Sequence, residues 1–169
     1  MKFFYSISRF LLVAVVLLTS VNILLSADYY AVTNGNWNAA ATWASSCGGA
    51  GGFGVPGAGD DAYICAGITV VVNASSSVND LFLQGGTINF STNGRTLTVN
   101  NDFVVSNTNA IIGNGATRVL NISGSLIVSS GASLSIAGET VNVTGNVLVD
   151  GTLVMSNATG TKTFSSPIA

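Results

Sequence analysis

The chain has 169 residues, of which 20 are glycine, 48% are apolar and only 7% are charged, with no histidine and two cysteines. The lack of histidine excludes a Ser-His-Asp triad, a Cys-His pair and an ordinary catalytic zinc site on inventory alone, so carboxylates are the catalytic groups left. Five basic residues against seven acidic ones, with Lys2 and Arg9 at the very start, exclude a nucleic-acid footprint.

Met1 to Arg9 is short and basic, Phe10 to Leu18 is an unbroken apolar run, and a softer stretch ends in Leu24-Leu25-Ser26-Ala27. This three-part pattern predicts a secretory signal peptide over residues 1–27, cut after Ala27, and a secreted or outer-cell-surface protein. The competing reading is an uncleaved anchor, since Phe10 to Leu25 approaches the length of a short tilted span. Thr19, Ser20 and Asn22 weigh against it, and no cysteine follows the run to accept a lipid. Beyond the leader the acids are Asp28, Asp60, Asp61, Asp80, Asp102, Glu139 and Asp150, against Arg95, Arg118 and Lys162, so seven negative and three positive charges leave a formal −4.

Residues 28–67 differ in texture from the rest. Tyr29, Tyr30, Trp37, Trp43 and Phe53 concentrate there, and the segment from Gly48 to Gly59 is a glycine-rich connector. The physical reading is an N-terminal aromatic cap. In an oxidising compartment Cys47 and Cys65, 18 positions apart, are expected to staple it as one disulfide worth about 3 kcal/mol. Two buried free thiols are the alternative. Trp37, Trp43, Tyr29 and Tyr30 are candidates for a glycan-stacking platform, although lid packing is favoured for the tryptophans. Asp60 and Asp61 are a candidate calcium pair, because hard oxygen donors at a tight turn suit that ion; a turn that needs Gly and Asp for backbone reasons is favoured over it. No other cofactor is expected.

From residue 79 onward the sequence copies itself. Units begin at Asn79-Asp80-Leu81-Phe82-Leu83, Asn101-Asp102-Phe103-Val104-Val105, Gly124-Ser125-Leu126-Ile127-Val128 and Gly145-Asn146-Val147-Leu148-Val149, at spacings of 22, 23 and 21 residues. Each unit continues with a second alternating run, Thr87-Ile88-Asn89-Phe90, Ala110-Ile111-Ile112-Gly113, Ser133-Leu134-Ser135-Ile136 and Thr152-Leu153-Val154-Met155. A third follows, Leu97-Thr98-Val99, Leu120-Asn121-Ile122, Val141-Asn142-Val143 and Phe164-Ser165-Ser166. Alternation with period two is the pattern of strands with one buried face, and repeats of this length mark a solenoid. The sequence therefore predicts an all-β parallel β-helix with three short strands per coil over residues 68–169. Leu83, Ile88, Leu97, Val105, Leu120, Leu126, Leu134, Val141 and Leu153 should face inward. Ending mid-coil at Ser166-Pro167-Ile168-Ala169, the chain reads as truncated, part of a longer protein.

Counted back from each following unit, Arg95, Arg118 and Glu139 share one offset and Lys162 extends it, which predicts a surface charge ladder. Asp80 and Asp102 also share an offset and are the best acidic pair available for catalysis. Their place before a strand, where Ser125 and Asn146 are the equivalents, favours a turn role in which Asp bonds its own backbone. Asn-x-Ser/Thr triplets begin at Asn73, Asn89, Asn121, Asn142 and Asn157 and matter only in a glycosylating host.

The residues Gly35-Asn36-Trp37-Asn38, Thr42-Trp43, Val55-Pro56-Gly57-Ala58-Gly59-Asp60-Asp61 and Ala66-Gly67-Ile68-Thr69-Val70 resemble the opening of the G8-like module and of related bacterial surface β-helix proteins. There a Trp-containing stretch leads through a Pro-x-x-Gly-Asp turn into a Gly-Thr-Val strand. The resemblance covers residues 34–73 by motif and implies the start of a pectin-lyase-like right-handed β-helix in an exported protein that adheres to surfaces or polysaccharide. The expected function is a non-catalytic structural stalk or adhesion module contacting a cell surface or polysaccharide. Its alternative is the front of a secreted polysaccharide-degrading β-helix enzyme with its active site beyond residue 169.

Overall fold

A computed structural model describes residues 26–90, 93–112, 117–155 and 159–166. Most of the expected leader, residues 1–25, lies outside them, as do the Asn157 triplet's first two positions and Pro167 to Ala169.

The chain begins with β1 (Asp28–Ala31) and β2 (Gly35–Asn36), a single 3-10 turn at Ala40–Thr42, and β3 (Trp43–Ala44). Regular coils follow: β4 (Asp61–Ile64), β5 (Thr69–Val71) and β6 (Ser76–Val78), then β7 (Leu81–Leu83), β8 (Thr87–Asn89) and β9 (Thr96–Val99). The third is β10 (Phe103–Val105), β11 (Thr108–Ile112) and β12 (Val119–Ile122), the fourth β13 (Leu126–Val128), β14 (Ser133–Ile136) and β15 (Thr140–Val143). Last come β16 (Val147–Val149), β17 (Thr152–Met155) and β18 (Lys162–Phe164). Equivalent strands stack in parallel into three sheets, ordered β16-β13-β10-β7-β4-β1-β3 (sheet one), β17-β14-β11-β8-β5-β2 (sheet two) and β18-β15-β12-β9-β6 (sheet three). The protein is a parallel β-solenoid, as the repeat predicts.

The alternation of side chains makes these strands. In β9 and β12, for example, Leu97, Val99, Leu120 and Ile122 are buried while Thr96, Thr98, Val119 and Asn121 are half-exposed. The inward residues form one core running through the coils, and all nine positions expected inside do point there, Leu153 being partly buried at the end. Each fully buried aliphatic side chain contributes about 1.5–3 kcal/mol. Leu81 faces Phe103, Phe103 faces Leu126 and Leu126 faces Val147, so the 22-, 23- and 21-residue spacings are the coil lengths.

The ladder starts earlier than the sequence texture indicates. Asp28 to Ala31 pairs in parallel with Asp61 to Ile64, and Ala62 in turn faces Leu81, a shorter step of 19 residues. The segment 28–67 thus supplies strands of sheet one as well as covering material. Trp37 and Trp43 are fully buried, edge to face with ring centroids 5.0 Å apart, and Trp43 Nε1 donates to the Trp37 carbonyl at 2.8 Å. β3 adds to β1 antiparallel, the one such pair among the described strands. Cys47 and Cys65 form a disulfide with Cα atoms 6.0 Å apart, which ties the glycine-rich strap to the corner after β4. Such a bond fits an oxidising compartment.

Two registers differ from the aligned runs of the sequence. Ala110 faces Thr87 but on its other side meets Ser135, not Ser133. This places Ile111 between Ile88 and Ile136 and sends Asn109 inward next to Leu134. In the last coil Val143 faces Phe164 and Val141 faces Lys162, so β18 is shifted by two from the expected Phe164-over-Val141 alignment. The shift seats Phe164, the large apolar side chain of that segment, against the core instead of a serine.

The corner from sheet three into sheet one is the most regular. There backbone bonds continue without interruption, Asn101 N–H to Asn79 O (2.9 Å), Gly124 N–H to Asn101 O (2.9 Å) and Gly145 N–H to Gly124 O (3.0 Å). A Cβ on Gly145 would lie 2.4 Å from the Gly124 oxygen, which explains why this approach uses glycine.

Candidate functional site

The outer face of sheet one carries two parallel columns. The first is acidic: Asp28 faces Asp61, and Asp80 and Asp102 continue it one coil at a time. These carboxylates reach the backbone of the next coil, where the sequence suggests that of their own turn, and Asp80 Oδ2 also accepts from the adjacent Asn79 Nδ2 (3.2 Å). Asp61 Oδ1 accepts from the Asp80 N–H (3.1 Å) and from Asn79 Nδ2 (2.8 Å), Asp80 Oδ1 from the Asp102 N–H (2.7 Å), and Asp102 Oδ1 from the Ser125 N–H (2.7 Å). The reason is that the coil starts leave one backbone donor each at the corner, and a short carboxylate directly below reaches it. Asp80 and Asp102 are therefore stacked, as expected, and committed to backbone donors.

The second column is Tyr30, Tyr63 and Phe82, followed by Val104 and Ile127. The first three rings lie face to face, with centroids 4.5 and 4.4 Å apart and planes within 13° and 7°. Burial in this stack, then the negative field of Asp28, with Tyr30, Asp61 and Asp80, pushes the Tyr63 phenol up to about 12. The rings present their rims outward and their faces to one another, a geometry that stiffens the sheet.

The expected glycan platform is not assembled. Trp37 and Trp43 are core residues with no exposed surface, Tyr29 packs against Phe53 at 5.2 Å, and Tyr30 belongs to the outer stack. Large flat side chains at the start of the core were needed to fill it, which removes them from solvent.

The calcium pair does not fit an ion either. Asp60 Oδ2 accepts the Gly57 N–H (2.9 Å), closing its own turn, and Oδ1 accepts the Ala27 N–H (3.1 Å), while Asp61 serves the acidic column. Among the described residues no group of three or more His, Cys, Asp or Glu is placed to hold a metal.

The surface charge ladder is corrected in two ways. Arg95 and Arg118 do precede facing residues, and Glu139 lies level with Arg118, but Lys162 is two places out of that column and takes an inward position opposite Val141. From there its Nζ donates to the carbonyls of Glu139 and Gly160. Glu139 is not on the surface: it is 0% exposed, and among the described residues neither carboxylate oxygen has a hydrogen-bond partner. The Nε atoms of Arg95 and Arg118 are also buried without partners among the described residues.

Burial raises the Glu139 carboxyl pKa, opposed by the backbone amides of Glu139 and Ala137 and by the charges of Lys162 and Arg118. With the folded-state value above the unfolded one, the contribution of this group is most favourable at low pH and is lost as pH climbs from about 4.5 through the raised value. Glu139→Gln should accordingly stabilise the fold at neutral pH by on the order of 1 kcal/mol and change little in acid. Urea midpoints of both proteins at about pH 4 and pH 7 measure this, and parallel pH profiles would show that Glu139 ionises freely.

Sequence reasoning missed Asn109. It is buried, its Oδ1 accepts the Gly85 N–H (2.6 Å) and the Gly86 N–H (3.0 Å), and its Nδ2 donates to the Asn107 carbonyl. The signal was Gly86 one coil earlier: a Cβ there would meet Ile64 Cγ2 at 2.4 Å, so the corner must be glycine and its amides need an acceptor from elsewhere.

Sheet three shows a different exterior. Ser77, Thr98, Asn121, Asn142 and Thr163 face one another in succession, and Asn142 Nδ2 donates to Asn121 Oδ1 at 2.9 Å. No helix among the described residues is long and apolar enough to cross a membrane. No protein-family model matches the chain, and neither a curated protein nor a solved structure does.

Proposed function

We propose that this chain is an exported, non-catalytic β-solenoid that serves as a structural stalk or adhesion module contacting a cell surface or polysaccharide. The observation that carries the reading is the uncharged row Ser77, Thr98, Asn121, Asn142 and Thr163 along sheet three. It repeats hydroxyls and amides at the strand spacing of about 4.8 Å, a linear array suited to an extended, hydroxyl-rich polymer and unlike the convergent groups of a reaction centre. The apolar leader of the sequence and the Cys47–Cys65 disulfide support export. The motif resemblance of residues 34–73 to G8-like modules belongs to the same proposal. The test is co-sedimentation of the disulfide-bonded chain with insoluble polysaccharides, beside a glycan array and host-matrix proteins. Retention on a neutral polysaccharide is expected. Absence of binding to every glycan and matrix surface would remove the adhesive role.

A further inference from the structure

The corner from sheet one to sheet two opens into a cleft of about 670 Å³, within the range of about 300–1,000 Å³ typical of small-molecule sites. Its walls have separate origins. One is built by the residues that follow β1, β4, β7 and β10 in turn, namely Val32, Cys65, Gln84 and Ser106. The other is the strap around Cys47, which belongs to no strand and is held against the corner by the bond to Cys65. Gln84 Oε1 lies 3.8 Å from Cys47 Sγ, so the two walls meet at that amide.

We propose that this cleft binds a single neutral sugar unit of a glycan, with an acetamido-bearing hexopyranose preferred over a plain one. The inference rests on the adhesive reading above and gives it a discrete site. None of the lining residues is charged. Val32, Ile68 and the disulfide supply an apolar surface for the C–H face of a pyranose or for an acetamido methyl. Gln84, Ser106 and Asn107 supply neutral donors and acceptors of the kind that hydroxyl and acetamide groups pair with. The Ser106 hydroxyl holds a long 3.4 Å bond to the Leu83 carbonyl, and both Ser106 and Asn107 are exposed, so their polar groups are accessible to a ligand. A uronate would surrender water with no counter-charge among the lining residues to meet it.

The full disulfide-bonded chain is titrated with chitotetraose, cellotetraose and tetragalacturonate by calorimetry or NMR. Saturable binding is expected for chitotetraose, weaker for cellotetraose and none for tetragalacturonate. Gln84→Ala with Asn107→Ala should lose at least tenfold in affinity with an unchanged circular-dichroism spectrum, and Cys47→Ser with Cys65→Ser should lose binding by freeing the strap. If the cysteine variant does not fold, the amide variant decides alone, since its side chains lie outside the core. Equal binding of the uronate, or full affinity in the amide variant, overturns the cleft. A wild-type chain that sediments with polysaccharide as strongly as the amide variant leaves the adhesive reading standing without the cleft, whereas no binding by wild type removes both.

Discussion

Leu120→Asp is expected to yield no folded protein. Leu120 is fully buried in the inner column between Leu97 and Val141, with a coil on either side. Truncation alone would cost about 2–5 kcal/mol in lost transfer energy and cavity. An aspartate adds a carboxylate between Leu97 and Val141, neither of which offers a side-chain donor or a charge, and burying such a group unpaired costs several kcal/mol more. Together these exceed about 5 kcal/mol, comparable with the whole stability of many domains, about 5–15 kcal/mol. Because coils are stabilised by their immediate neighbours, failure in the middle uncouples both flanks. Far-UV circular dichroism and urea titration of Leu120→Asp beside Leu120→Ala measure this. The alanine variant should remain folded with a lower midpoint. A cooperative, soluble aspartate variant would mean that Leu120 does not face the core.

Asn109→Leu is expected to cost about 4 kcal/mol although it puts an apolar side chain of similar size into a buried place. The Gly85 and Gly86 N–H groups both end on Asn109 Oδ1, and each orphaned buried donor costs about 1–3 kcal/mol. The new side chain cannot offset this by packing, because Gly86 is already crowded by Ile64 and by the carbonyls of Cys65 and Ile68. Hydrogen exchange locates the effect: the Gly85 and Gly86 amides should lose protection first, ahead of the sheet-three amides. Unchanged exchange at both glycines would show that their donors are satisfied by another group.

The coils after residue 79 were legible because inward Leu, Ile and Val alternate with Thr, Ser and Asn and the unit starts repeat at nearly equal steps. The earlier coil was not. Asp61-Ala62-Tyr63-Ile64 precedes its counterpart by 19 residues instead of 21 to 23, and the surrounding aromatics resemble a separate lid. The two misplaced alignments, Ala110 with Ser133 and Phe164 with Val141, are both slips of two residues. A slip of one would turn every side chain to the wrong face and reveal itself, but a slip of two keeps inside and outside unchanged, so alternation carries no information about it. Lys162 left the charge column for the same reason. Spacing alone placed Glu139 beside Arg118 correctly but gave no indication of its depth, because the alternation that reports burial in a strand does not extend to a residue that precedes one. The cleft beside the disulfide was not legible either, since its residues come from four coil corners and a strap with no shared motif.

The acidic column beside sheet one bears on how this architecture tolerates change in length. The connections into β10, β13 and β16 each have three residues, 100–102, 123–125 and 144–146, whereas those from sheet one to sheet two in the same coils have two, four and two, at 106–107, 129–132 and 150–151. Where consecutive carboxylates and carbonyls hand hydrogen bonds from coil to coil, an added residue would break a chain of contacts shared by its neighbours. The corner from sheet one to sheet two also carries bonds between coils, Gln84 N–H to Ile64 O and Gly67 N–H to Gly85 O among them, yet accommodates connections of different length. The solenoid therefore has a fixed spine along one edge and adjustable corners elsewhere, and the adjustable corner from sheet one to sheet two is the one that opens into the proposed sugar cleft. Variation in ligand preference can accumulate there without disturbing the register that holds the coils together.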